Sequence, residues 1–344
     1  MGIKRTGPAV FFLIMLIPVL AYALNVESGR VRLEINEKTG TFSLFSLSEK
    51  EGQPLSLLYS DDPRTSYFSI AVNNRIYNLP ASSDFRREII NEKGQPRIVW
   101  TSGQLEVRQE FRIIRSFSSE VNNGLAMSLR IRNISSQKLS VGLRYLLDTY
   151  LGENRGSHFV SSENRSINGE TVLKAPYPRY ILSPREHSAD SGLMLMLNVP
   201  GVTVPDSVIF ANWKRLNESS WSYDVSTSRS FSNPPYSIND SAIALYFDPQ
   251  PLLPGDERLI DLAFGSYAQG GYLPASQNVN DKIADILSQE KETGDPEQEV
   301  ALVRELIAEI DLLMETDQKV PEEKIQMLRQ LLETLKARKA DFED

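Results

Sequence analysis

His158 and His187 are the only imidazoles in 344 residues, and cysteine is absent. Thiolate nucleophiles, disulfides, thiolate metal sites and a three-histidine metal site are therefore excluded. Imidazole titrates near neutral pH, so either histidine has the chemistry of a general base. Neither is accompanied by a nucleophile motif: G-x-S-x-G, H-E-x-x-H and the Walker loop do not occur. Lone histidines in Ser- and Pro-rich stretches are usually solvated, and no catalytic role is expected for either. Paired carboxylates suffice for glycoside hydrolysis, but acidic residues are too frequent here for spacing to single out a pair.

The loop richest in candidate ligands runs from Asp148 to Phe159. Asp148, Glu153 and Asn154 offer oxygens suited to a hard cation. The EF-hand spacing is missing, and Arg155 brings a positive charge into the loop, so neither a metal nor a cofactor is expected. The expected role of Asp148 and Asn154 is to cap backbone amides of the loop, with Glu153 and His158 as further candidate contacts. Aromatic side chains form the second group. Trp213, Trp221 and Tyr223 lie close together in NWKRLNESSWSY, with Tyr236 following in NPPYS. Flat rings stack on sugar faces, which suits glycan binding without catalysis. Trp213 ends an apolar segment and reads as core. Trp221 and Tyr223, in a Ser-rich loop, read as ligand or partner contacts.

Strands must position these residues. Arg30–Ile35 and Thr41–Leu47 alternate apolar and polar side chains, as do Gln104–Arg115 and Leu125–Arg132. Tyr67–Val72 and Arg75–Leu79 flank Asn73-Asn74, a two-residue hairpin turn. Further strands are expected at Arg97–Thr101, Ser140–Leu147, Gly192–Val199, Val208–Trp213, Ala242–Phe247 and Arg258–Phe264. The stretches 81–84, 116–124, 152–170, 200–206 and 226–241 read as loops. Many strands without helical crossovers mean antiparallel sheets packed face to face, so residues 24–275 are expected to form one large β-sandwich.

The two ends differ from this middle. Residues 1–23 read as a secretory signal: Lys4 and Arg5, an apolar run from Ala9 to Leu20, then Ala21-Tyr22-Ala23 as a cleavage site. The expectation is a bacterial periplasmic protein, or a secreted one, with no membrane span after cleavage. Residues 276–344 switch to helical period. Asp295-Pro296-Glu297-Gln298 and Pro321-Glu322-Glu323 are helix starts. Leu306, Ile310 and Leu313 share one face, and Leu328, Leu331 and Leu335 share another, predicting an amphipathic helical hairpin whose apolar faces need a cover. From Gln277 to Asp344 there are 18 acidic and 9 basic residues, so a partner of the tail is expected to be basic. The whole chain carries a formal charge of -8, which argues against nucleic-acid binding.

Two segments carry a resemblance. GLRYLLDTYLGENRGSHF (142–159), then ANWKRL…WSY with DSAIALYFDPQPLLPGDER (211–223 and 240–258), resemble large β-sandwich domains of uncharacterised secreted bacterial proteins. The matching positions are Asp148, Thr149, Gly152, Asn154, Gly156 and Phe159, then Trp213, Trp221, Asp240, Ser241, Pro254 and Gly255. In general shape such domains are similar to the galactose-mutarotase-like supersandwich. Arg155 and His158 depart from the pattern, which has Asp and Pro there. The histidine pair and glutamate that mutarotase catalysis requires are not recognisable. The leading expectation is a non-catalytic exported protein, not an enzyme, that binds another periplasmic or envelope protein. The alternative is a carbohydrate-binding or vestigial carbohydrate-active module.

Overall fold

The structure, a computed structural model, describes residues 23–47, 53–92, 94–116, 119, 121–153, 157–185, 188–272 and 274, with further helical positions between Ile307 and Lys336. Nineteen strands among these residues form three antiparallel sheets. The first has four strands in the order β1 (Ala23–Ser28), β2 (Val31–Asn36), β3 (Phe42–Ser46) and β4 (Leu55–Ser56). The six-stranded sheet runs β14 (Thr171–Leu173), β17 (Ser207–Asn212), β18 (Ser241–Leu252), β11 (Leu139–Asp148), β5 (Tyr67–Val72) and β6 (Arg75–Asn78). The nine-stranded sheet begins with β13 (Ser166–Ile167), β12 (Phe159–Ser161), β15 (Tyr180–Arg185) and β16 (Ser188–Met196). It continues through β19 (Glu257–Ser266), β10 (Gly124–Asn133), β9 (Leu105–Ile114), β8 (Gln95–Thr101) and β7 (Arg86–Glu92).

Alternation decides which side chains meet between the sheets. Leu125, Met127, Leu129 and Ile131 of β10 join Leu143, Tyr145 and Leu147 of β11 in one core. Val31, Leu33, Phe42 and Leu44 belong to the same core, so the four-stranded sheet closes the sandwich rather than standing apart. Both large sheets are also covered on their outer faces. Ala126, Met194, Met196 and Ala263 lie under Tyr272. Leu146, Ile209, Ala244 and Tyr246 lie under the one-and-a-half-turn helix α1 (Trp213–Glu218) and the loop after it. Such double cover explains why β11 and β16 read as nearly continuous apolar runs.

Tyr272 is seated by two glycines. A Cβ on Gly124 would stand 2.2 Å from the Tyr272 ring, and one on Gly265 2.6 Å from its hydroxyl. The hydroxyl is shared between the carbonyls of Asn123 (2.8 Å) and Ser266 (2.5 Å). Arg112 then holds the carbonyl of Pro274 at 3.2 Å, so the chain after β19 is strapped across the nine-stranded sheet.

Several boundaries differ from expectation. Trp213 opens α1 instead of ending β17, because the Asn212 side chain accepts from the Arg215 amide and caps a helix there. Stretch 152–170 contains β12 and β13, and β7, β14 and β15 are further strands that alternation does not announce. Beyond Pro274 the described positions Ile307, Ile310, Met314, Ile325, Leu328 and Leu332 are α-helical, as the period predicts. Ile310 and Leu328 are half-buried; Leu306, Leu313, Leu331 and Leu335 lie outside the described residues, as do residues 1–22, where the secretory signal is expected. No helix among the described residues is long and apolar enough to cross a membrane.

Candidate functional site

The end of β11 and the start of β18 are stapled at one edge of the sandwich. The Thr149 hydroxyl donates to the Ser241 carbonyl and the Ser241 hydroxyl to the Thr149 carbonyl, both at 3.1 Å. Glu153 accepts from the Ser241 amide at 2.9 Å. The Asp148 amide donates to Ser66 Oγ (2.9 Å), and its carbonyl accepts from the Tyr59 amide (3.1 Å). Capping is thus done by Glu153, while the buried Asp148 carboxyl lies beside the Thr65 hydroxyl. Burial, with the charges of Asp240 and Asp62 nearby, pushes Asp148 up to about 7. Burial, with Asp240 and Asp148 nearby, pushes Glu153 up to about 8. Asp240 is raised too, by burial. Asp148 and Glu153 are thus carboxyl groups poised between donor and acceptor at neutral pH.

Beside them stands a loop with bare apolar side chains. Tyr236 is 71% exposed and Ile238 76%, on the stretch between Ser232 and Ser241. Its base is tied down. The Asn212 side-chain amide reaches the Phe231 carbonyl (2.7 Å), Ser237 Oγ (2.9 Å) and the Asp240 carbonyl (3.1 Å). Asn233 and Ser237 exchange backbone bonds at 2.8 and 3.1 Å, and Ser232 Oγ accepts from the Asn239 amide at 3.0 Å. Lys214 lies 5.0 Å from the Tyr236 ring centre and pairs with Glu218 at 2.8 Å.

Under that base sits Glu170, a carboxylate with no exposed side-chain surface. It accepts from the Tyr223 hydroxyl (2.6 Å), Arg215 Nη1 (2.9 Å) and the Ser226 amide (3.1 Å), and it forms an ion pair with Arg229 Nε at 3.2 Å. Arg215 also donates to the carbonyls of Ser230 (3.1 Å) and Ser232 (2.8 Å), where the exposed loop begins. Tyr223 therefore spends its hydroxyl inside the fold. Trp213 donates its indole N–H to the Thr65 carbonyl at 2.9 Å, and Trp221 packs edge-on against Tyr246, ring centres 6.0 Å apart. All three aromatics are half-buried on the outer face of the six-stranded sheet.

His158 is buried, where solvation was expected. Its ring meets Phe231 edge-on at 4.5 Å, and its Nδ1 has no hydrogen-bond partner among the described residues. Burial holds its pKa down to about 4, so it is a neutral packed ring at neutral pH. Asn154, Arg155 and His187 lie outside the described residues. Among the described residues no group of three or more His, Asp or Glu is arranged to hold a metal ion. The structure thus brings together Asp148, Glu153 and, nearby, Trp213. It adds Tyr59, Asp240, Ile238 and Glu170, which sequence reasoning did not select as site residues. Tyr236 and Ile238 had a readable signal, apolar residues in a Pro-Asn-Ser run; Glu170 had none, since its partners follow far along the chain.

No family model and no curated protein matches the chain. Among solved structures it is similar to a galactose mutarotase-like protein from Lactobacillus casei ATCC 334, at 9% identity over 71% of this chain and 99% of that one, TM-score 0.45. The GalM/aldose epimerase homologue from C. elegans aligns at 8% identity over 71% and 98%, TM-score 0.41. A polysaccharide lyase, BACCELL_00875, aligns at 13% identity and TM-score 0.43 over 71% of this chain; the chain spans 33% of that lyase. The group is the one to which the sequence resemblance points. At these identities and scores no residue role passes from those proteins to this chain.

Proposed function

We propose that this is a non-catalytic binding component of the bacterial periplasm or envelope, exported by its leader, that contacts another protein through the sandwich loops around Tyr236 and Ile238. One observation carries the reading: the two most exposed large apolar side chains described, 71% and 76% bare, stand on a loop fastened from below. Bare apolar groups on a rigid support bury area on contact without a large ordering cost, which is how a binding tip works. His158 is engaged as a packed ring, Glu170 as a clamp and Glu153 as a cap on the Ser241 amide. Ile307, Met314 and Leu332, exposed on the tail, offer a second contact surface of the same kind.

The test is a photo-reactive amino acid placed at position 238 in living cells, with one at Leu253, 52% exposed, as control. The expected result is a discrete cross-linked adduct from 238 and none from 253, in the periplasmic fraction. No adduct from 238, or a protein retained in the cytoplasm, refutes the proposal.

Glycan binding is the second reading. A surface groove of about 430 Å³ lined by Tyr177, Arg179, Tyr180, Glu163 and Gln269 favours it, since rings beside amide and charged groups suit a polyhydroxylated ligand. Oligosaccharide binding abolished by Tyr180→Ala would establish it.

A further inference from the structure

The surroundings of the apolar tip constrain what it contacts. Asp61, Asp148, Asp62 and Asp240 all act on the hydroxyl of Tyr59, a residue 36% exposed, and Asp240 with Asp148 acts on Glu153. Five carboxyl groups therefore crowd one end of the sandwich. The described cations of this end are already spoken for. Arg64 grips Asp62 with two bonds of 2.7 Å, Lys214 pairs with Glu218, Arg215 and Arg229 pair with Glu170, and Arg185, which acts on the Tyr150 hydroxyl together with Asp61, is engaged as well. Among the described residues Asp61, Asp148, Glu153 and Asp240 have no ion-pair partner.

Resting on the binding reading above, we infer that the partner docked on Tyr236 and Ile238 is a polypeptide segment carrying lysine or arginine beside an aliphatic or aromatic side chain. The apolar residue covers the tip, and the cation meets the carboxyl rim. Charge complementarity selects this occupant: a like-charged surface is repelled, and an anionic bilayer is one such surface.

The experiment selects a random peptide display library on the immobilised full chain. Two double variants serve as comparisons, Tyr236→Ser with Ile238→Ser and Asp61→Asn with Asp240→Asn, each shown by its urea midpoint to be folded. The expected result is enrichment of peptides with Lys or Arg next to apolar residues. Their affinity falls about tenfold or more in either variant and weakens as salt rises. Enriched peptides that lack cations but still need Tyr236 and Ile238 overturn the partner chemistry while leaving the binding reading standing. No enrichment over the tip variant overturns both. Vesicles of phosphatidylcholine and phosphatidylglycerol form a further arm. Binding to them that disappears with the tip variant replaces the polypeptide with a membrane.

Discussion

Glu170→Gln is the sharpest test of how the exposed loop is held. The substitution keeps shape and removes the charge. Tyr223 and Ser226 then face an amide, and Arg215 and Arg229 lose the carboxylate that neutralises them. Breaking a buried ion pair from one side costs about 3–5 kcal/mol. Arg229 deserves less of that range, because 36% of its side chain is exposed and water screens it. Arg215, at 19%, retains carbonyl acceptors at Ser230 and Ser232. About 3 kcal/mol is therefore expected. Urea unfolding should show a midpoint lower by about 1 M with the slope unchanged. Tyr223→Phe, which removes one hydrogen bond to the charged group, should cost about 1.5–2 kcal/mol. Hydrogen exchange should accelerate at Ser230–Asn239 in Glu170→Gln before it does in β11. A loss under about 1 kcal/mol, or a midpoint drop with unchanged exchange in that loop, refutes the view that Glu170 supports the tip.

Four more outcomes follow from the packing and the titrating groups. Asp148 and Glu153 titrate near 7 and 8 in the fold against about 4 unfolded, so the native state holds protons the unfolded chain has released. Their contribution to stability is full below about pH 4 and is lost as pH rises through 7 and 8; Asp148→Asn should stabilise the protein at pH 8.5 and leave it unchanged at pH 4, by urea midpoint. His158 acts in the other direction, losing stability as pH falls from about 6.5 towards 4, so replacing it with Phe should flatten the acid limb. Gly124→Ala drives a methyl into the Tyr272 ring and should lower stability by about 1–3 kcal/mol, with Tyr272→Ala in the same chain relieving the clash but not the lost packing. Truncation after residue 276 should leave cooperative unfolding within a few degrees of the full chain, since the described core clusters end at Tyr272.

The alternating strands were legible because one face is wet, as in β2, β9 and β10, and period two then announces itself. The hairpin at Asn73 was legible for a different reason: its backbone needs positive φ, and Asn tolerates it. Short strands such as β12 and β14 lack enough residues to show a period, and their pairing is decided by distant neighbours. Trp213 went to a helix because one side chain, Asn212, could cap it, an event invisible in an apolar run. The site was harder. Asp148 and Glu153 were readable as oxygen donors, but their raised pKa values come from burial and from Asp240, far along the chain. Tyr223 looked like an open contact until Glu170, on the link between β13 and β14, took its hydroxyl.

Glu170 has one further consequence. Everything that fastens the loop lies underneath, whereas Tyr236 and Ile238 take no part in the fastening with their side chains, apart from the nearby Lys214. Support and reading head are thus separate parts. The two positions form a socket into which other side chains can be fitted, retuning what the protein grips while the scaffold beneath keeps its shape.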